Sequence, residues 1–281
     1  NLNGNVSKNE ETLHLAFNEL ITFGKLFSPQ DFLASATPNF HREVGKMLIN
    51  DKMQQLALVL PRDHAKSTLA ATAVLYKFLF ATKEEPQFIA WIGEAQDQAT
   101  DNLSWIQNHI YSNPAIHYYF GDLEGDKWTK TEFTLKNGCR MIGKGTSQRL
   151  RGKKQNSTRY TGIILDDFES ELNTKTPDSR RQIKEWVTAA VYPAIDFDKK
   201  GFLWCNGTIV HYDSFLNGLV TKHSECVKTG EEFAWDVYTK KAIEDGTPIW
   251  PSRWPIKKLE ERKQFYIDSG TPAKFYQEYM N

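Results

Sequence analysis

Cysteine is scarce. Only Cys139, Cys205 and Cys226 stand in 281 residues, too few and too scattered for a disulfide framework or a four-cysteine zinc site, so free thiols in a reducing compartment are expected. Long apolar runs are missing as well: none approaches the ~20 residues that span a bilayer. The N-terminal NLNGNVSKNEETLHLAF has no basic stretch followed by an apolar segment, as a secretory signal would. Net charge is absent, with 35 basic residues against 35 acidic ones. No global electrostatic argument for a nucleic-acid or membrane partner is therefore available, and any such argument must be local. Nor is there an internal repeat or low-complexity tract. What remains, 40% hydrophobic and 25% charged, reads as a soluble globular protein of a cytoplasm-like space, built as one large or two small domains.

The middle of the chain alternates short apolar runs with helical stretches. LALVL (56–60) precedes the helix-like STLAATAVLYKFLFAT, and QFIAWIG (87–93) precedes AQDQATDNLSWIQNHIY. TEFTLKNGCRMIGKGT reads as a hairpin turned at Asn137-Gly138. TGIILDD (161–167) and GFLWCNGTIV (201–210) are two more apolar strands, separated by a helical run from Asp178 to Val191. Strands that are apolar on both faces and alternate with helices predict an α/β fold with a mostly parallel sheet covered on both sides. Ahead of it, residues 11–27 predict one amphipathic helix and residues 40–50 another. From about Thr229 aromatics mix with charges and prolines, no further alternation of strand and helix is seen, and a small appended helical region is expected. The organisation read from this is a core over 1–228, with N-terminal helices, and a small helical lid or linker over 229–281.

In a parallel sheet, ligands bind beyond the carboxyl ends of the strands, which directs attention to three loops. After LALVL comes Pro61-Arg62-Asp63-His64-Ala65-Lys66-Ser67-Thr68 and then a helix. A strand, a tight turn and a helix N-terminus present backbone N–H groups to phosphates, with a lysine to bridge them and a hydroxyl for Mg²⁺. Lys66 and Ser67 stand where those roles require. The pattern G-x-x-x-x-G-K-[ST] is broken at both glycines, by Leu60 and Ala65, which leaves an ordinary helix start with a solvated lysine as the competing reading. Alanine tolerates positive φ poorly, so the loop is expected to avoid that conformation at Ala65.

A hundred residues on, Gly162-Ile163-Ile164-Leu165-Asp166-Asp167-Phe168-Glu169 runs an apolar strand straight into acids. Asp166 fits a metal-holding role, while Asp167 or Glu169 could orient an attacking water. The same acids, with Glu171, could instead form a two-metal nuclease, or simply cap the next loop. Between the two motifs, Phe133 to Leu165 carries eight basic residues and no acid. Within it Arg151-Gly152 could bring a guanidinium close to a phosphate, and the remaining cations could meet DNA or solvent.

Together these residues resemble the ATPase domain of the large terminase subunit, the DNA-packaging motor of tailed bacteriophages. The pieces are PRDHAKST, LRG (150–152), IILDDFE, CNGT (205–208), IWP (249–251) and FYQEYMN (275–281). The resemblance implies a P-loop NTPase of the RecA/ASCE kind, binding ATP and Mg²⁺. The nucleotide would be cradled by Arg62, Asp63, His64, Ala65, Lys66, Ser67 and Thr68, and the metal held by Ser67 and Asp166. Catalysis would fall to Asp167 or Glu169 with Arg62, and with Arg151 as a finger acting in a neighbouring subunit. Asn206, Gly207 and Thr208 would couple loss of the γ-phosphate to the rest of the domain. The adenine-binding glutamine of that family has no clear match; Phe40, Arg42 and Glu43 lie near its place, and Gln30 is a further candidate. Implied partners are double-stranded DNA, a portal protein, a small terminase subunit and other copies in a ring, in the host cell cytoplasm, with no membrane. A C-terminal nuclease domain is not expected in this chain. A helicase-like motor and a non-catalytic DNA-binding module with a degenerate loop are the alternatives.

Overall fold

A computed structural model of the chain describes residues 2–150 and 159–281, with side chains from Glu10 onward. Its centre is an eight-stranded sheet of β1 (Gln55–Val59), β2 (Phe88–Gly93), β3 (Glu124–Trp128), β4 (Glu132–Leu135), β5 (Arg140–Gly145), β6 (Gly162–Asp166), β7 (Phe202–Gly207) and β8 (Asp236–Thr239). The spatial order is β3-β4-β5-β2-β6-β7-β1-β8. The six strands from β5 to β8 run parallel, and β3 and β4 add an antiparallel edge.

Period-two alternation sends side chains to two separate cores. Leu56, Leu58, Trp91, Ile164 and Trp204 pack on one face, under the N-terminal helices and the helices Lys66–Leu79 and Gln96–Ser112. Ala57, Val59, Ile92, Leu165 and Cys205 pack on the other, against Ile183, Val187, Leu216 and Leu219. With both faces buried, the parallel strands carry the near-continuous apolar runs on which the fold was predicted. The hairpin turn falls where expected, Gly138 taking φ +89, which side chains rarely adopt. All three cysteines are free and buried. Among the described residues, no helix is long and apolar enough to cross a membrane.

Two local expectations are corrected. The single helix over 11–27 is two, Leu2–Asn18 and Leu20–Phe27, separated at Glu19 with extended φ −142° and ψ 117°. There the Glu19 carboxylate accepts from the Thr22 hydroxyl and pairs with Arg42, partners that a periodicity count does not see. The segment after Thr229 does contain a strand: β8 joins the main sheet parallel to β1. The remainder, including the helix Ile256–Asp268, folds back onto the loop after β1. Trp254 donates its indole N–H to the Asp63 carbonyl at 3.3 Å, and Trp250 donates to Ala36 at 3.2 Å.

Candidate functional site

The strand order places β7 between β1 and β6, so the three loops selected from sequence converge at one edge. Register pairs Asp166 with Asn206 and Val59 with Gly207. Above them lies an open cleft of about 830 Å³ lined by Arg62, Asp63, Ala65, Lys66, Ser67, Thr68, Asp167, Glu169 and Thr208, among others.

The loop curls because Asp63 and Ala65 both take left-handed backbone, φ +58 and +66. The expectation that Ala65 avoids positive φ is therefore overturned. Its neighbours hold it there: the Leu69 amide donates to the Ala65 carbonyl at 2.9 Å as the helix begins. Beneath, the His64 ring is fully buried, donates from Nδ1 to the Arg62 carbonyl (2.8 Å) and stacks on Trp254 with an interplanar angle of 9°. Surrounding packing can sustain a strained conformation that the residue alone would not choose. Alanine in this region costs roughly 1–2 kcal/mol, partly offset by the extra freedom glycine has when unfolded. Ala65→Gly is therefore expected to be neutral to stabilising, by up to ~1 kcal/mol, and Ala65→Val clearly destabilising, as read from urea midpoints.

Of residues 62–68, His64 alone does not line the cleft, and its Nε2 is buried without a partner among the described residues. His41 packs beside it, its Nε2 3.3 Å from the His64 carbonyl. Burial lowers both imidazoles from the ordinary 6.5 to about 4. Between those values the unfolded chain binds protons that the folded chain refuses, so stability is lost as pH falls through that window. The expected loss by pH ~4 is on the order of 2–3 kcal/mol per histidine. Denaturant midpoints compared at about pH 7 and 4.5 check this; unchanged values would mean the rings reach water.

Lys66 is buried, with its Nζ 3.5 Å from Asp167 Oδ1, and Ser67 donates its hydroxyl to Asp166 Oδ1 at 3.0 Å. Burial raises the Asp166 carboxyl to about 7, and nearby Asp167 adds to this, against Lys66 and the Ser67 hydroxyl. A buried acid with too few cations is electrostatically suited to receive one. Asn206 is fully buried at the same strand ends, and its amide, like the Ser67 hydroxyl, works to lower the Asp166 carboxyl. Two hard oxygen donors side by side, Ser67 and Asp166, fit Mg²⁺, which takes few protein ligands and keeps several waters.

The rivals for the catalytic acid separate clearly. Asp167 is half exposed, at φ +45, and faces the cleft beside Lys66. Both oxygens of Glu169 are occupied by the amides of Phe215 (2.7 Å) and Leu216 (2.9 Å), the first residues of the helix Phe215–Thr229. Glu171 pairs with Lys274. Among the described residues, no group of three or more His, Cys, Asp or Glu side chains converges on a metal position.

Of the adenine candidates, only Gln30 reaches the cleft, where its amide meets His109 Nε2 at 2.9 Å. Phe40 is buried behind the loop, Arg42 is paired with Glu19, and Glu43 accepts from the Tyr238 hydroxyl. Arg151 lies outside the described residues. Sequence reasoning assigned no role to Glu278, Arg253 or Lys274, which line the cleft together with Trp250. FYQEYMN and IWP had marked the places of Glu278 and Trp250, but nothing local to those segments says they meet the loop after β1.

The arrangement is a strand–loop–helix turn beside an acidic strand end, at the carboxyl edge of a mostly parallel sheet. No family model matches the sequence, and no curated protein matches it significantly. Among solved structures, the HK97 bacteriophage large terminase is similar with a TM-score of 0.57 and 13% identity, over 87% of this chain and 50% of that one. The chain thus spans about half the length of that protein. The Thermus phage P74-26 large terminase ATPase domain gives 0.56 at 13% identity, over 80% of this chain and 87% of the domain. A point mutant of the same domain gives 0.59 at 13%, over 87% and 93%. The chain has the fold of phage large terminase ATPase domains.

Proposed function

We propose that the chain is the ATPase motor domain of a viral large terminase subunit, which hydrolyses ATP to drive double-stranded DNA into a procapsid. The observation that carries the reading is the junction of Lys66, Ser67, Asp166 and Asp167 over β7 at the floor of one cleft. The amides of the loop and the start of the helix at Lys66 receive the β- and γ-phosphates, with the helix dipole in support. Ser67 and Asp166 would hold Mg²⁺, which when bound neutralises charge on the phosphate oxygens.

Lys66 is the shared counter-ion. In the free protein it faces Asp167; an entering phosphate competes for its ammonium and leaves the Asp167 carboxylate free to accept a hydrogen from water. That water attacks the γ-phosphorus in line, the bond to the β-phosphate oxygen breaks, and ADP and phosphate are the products. Arg62, on the cleft wall, meets charge developing on the terminal phosphate. Thr208, at the end of β7, is within the same cleft and suits the coupling role with Asn206 and Gly207. Double-stranded DNA, a portal protein and a small terminase subunit are the partners this function requires, in the host cytoplasm, with Arg151 reaching into a neighbouring subunit of a ring.

The test is ATP turnover against protein concentration, with and without duplex DNA, beside Lys66→Ala. Mg²⁺-dependent turnover that rises more steeply than protein concentration and disappears in the variant supports the reading. A wild-type chain that neither binds nor hydrolyses ATP overturns it.

A further inference from the structure

The residues lining the cleft fall into two groups, each held by its own contacts. One gathers the acids after β6, Thr208 and the C-terminal segment, joined by Lys274 to Glu171 and by the Gln277 amide to the Val210 carbonyl at 3.1 Å. The other combines Gln30, Asp31 and Ala34 with a turn that carries Trp250 and Arg253. The Trp250 indole N–H and the Ser252 hydroxyl both donate to the Ala36 carbonyl at 3.2 Å, which ties that turn to the N-terminal segment. Trp250 is buried and packs edge-on against the His41 ring, 4.5 Å between centroids, so its plane is fixed. The Arg253 amide closes the turn on the Trp250 carbonyl at 3.2 Å, and the exposed Arg253 side chain returns over the indole, Cζ 5.5 Å from the ring centroid. Arg62 is paired with Glu278 and Lys274 with Glu171, whereas Arg253 has no acidic partner among the described residues.

We propose that Arg253 binds the base of the nucleotide, its guanidinium seated on Trp250 and stacked on the face of the purine. The proposal rests on the ATPase reading above. With the terminal phosphate drawn to Lys66 and Asp167, the rest of the nucleotide extends away from the acids, toward the second group. A guanidinium is planar, weakly hydrated and stacks on aromatic faces, whereas a lysine ammonium is a compact, strongly hydrated charge. Trp250 takes one face of Arg253, and because the arginine lines the cleft the other is left for a base. Every base has a π-face, so this contact adds affinity without choosing adenine over guanine. The base is unchanged while the terminal phosphate is transferred, so the contact is equally strong in the ground and transition states. Its contribution therefore belongs in KM and not in kcat.

The experiment is steady-state ATP hydrolysis by the wild type, Arg253→Ala and Arg253→Lys, with a melting temperature for each. Beside it runs inhibition by tripolyphosphate, which carries the phosphates and no base. Arg253→Ala is expected to raise KM for ATP by roughly fivefold to a hundredfold, the range for removing one stacking partner of a base, with kcat kept. GTP should lose as much as ATP. The inhibition constant of tripolyphosphate should not change, since the phosphate cradle is untouched. Arg253→Lys restores the charge without the planar face, so its KM should stay near the alanine value. An unchanged KM in Arg253→Ala, an equal loss for ATP and tripolyphosphate, or full recovery with lysine overturns the base contact and leaves the ATPase reading standing. A wild type that neither binds nor hydrolyses ATP overturns both.

Discussion

Lys66→Ala is expected to reduce ATP turnover by at least about a hundredfold to a thousandfold, the scale seen when one preorganised charge-stabilising donor is removed from an active site. Two effects act in the same direction. The phosphates lose the only loop ammonium that is buried at the cleft floor. The acids lose their cation too: Asp166 is already raised to about 7 by burial and by Asp167, and Lys66 is the group that opposes this most. Without it Asp166 becomes more reluctant to ionise at neutral pH, which weakens its capacity to hold a divalent ion. Phosphate release and nucleotide binding should therefore fall together, and raising Mg²⁺ should recover only part of the loss. A variant that retains wild-type turnover would return the loop to an ordinary helix start.

Asp167→Asn is expected to separate binding from chemistry. Asparagine tolerates left-handed backbone almost as well as aspartate, so φ +45 at this position is kept and the fold with it. The carboxylate proposed to orient water would be gone, and a positioned acid–base group is worth about 10²–10⁴ in rate. Nucleotide affinity should hold or improve, because a negative charge facing the phosphates has been removed. Glu169→Gln should behave differently. Its two oxygens cap the amides of Phe215 and Leu216, and an amide in place of the carboxylate turns an NH₂ group toward one of those donors. The expected loss is about 1–3 kcal/mol of stability. Rapid-quench turnover with a binding titration checks the first variant, and a denaturation curve checks the second. Loss of turnover in Glu169→Gln at undiminished stability would restore it as the acid.

The chain alone carried β1, β2, the β4–β5 hairpin, β6 and β7, the helices between the parallel strands and the three loops, because these depend on local patterns. Strands buried on both faces are apolar throughout, a helix start needs only its few neighbouring residues, and the acids at the tip of IILDD stand out against the apolar stretch before them. That Lys66, Ser67 and Asp166 would share a site followed from the rule that parallel strands bring their carboxyl ends to one edge.

What the local pattern could not reach was decided by contacts between distant segments. Ala65 at φ +66 runs against its own preference, and it is His64, Trp250 and Trp254 packed around the loop that hold it there. Asp167 and Glu169 are equivalent as a string of acids; only the helix beginning at Phe215, arriving 46 residues later in the chain, engages one and leaves the other facing the cleft. β8 is too short and too polar to read as a strand until β1 offers it an edge. Arg62 and Glu278 lie 216 residues apart. An ion pair between such positions leaves no periodicity, spacing or composition behind it, since its energy depends on where the backbone has brought two side chains and on how little water remains between them.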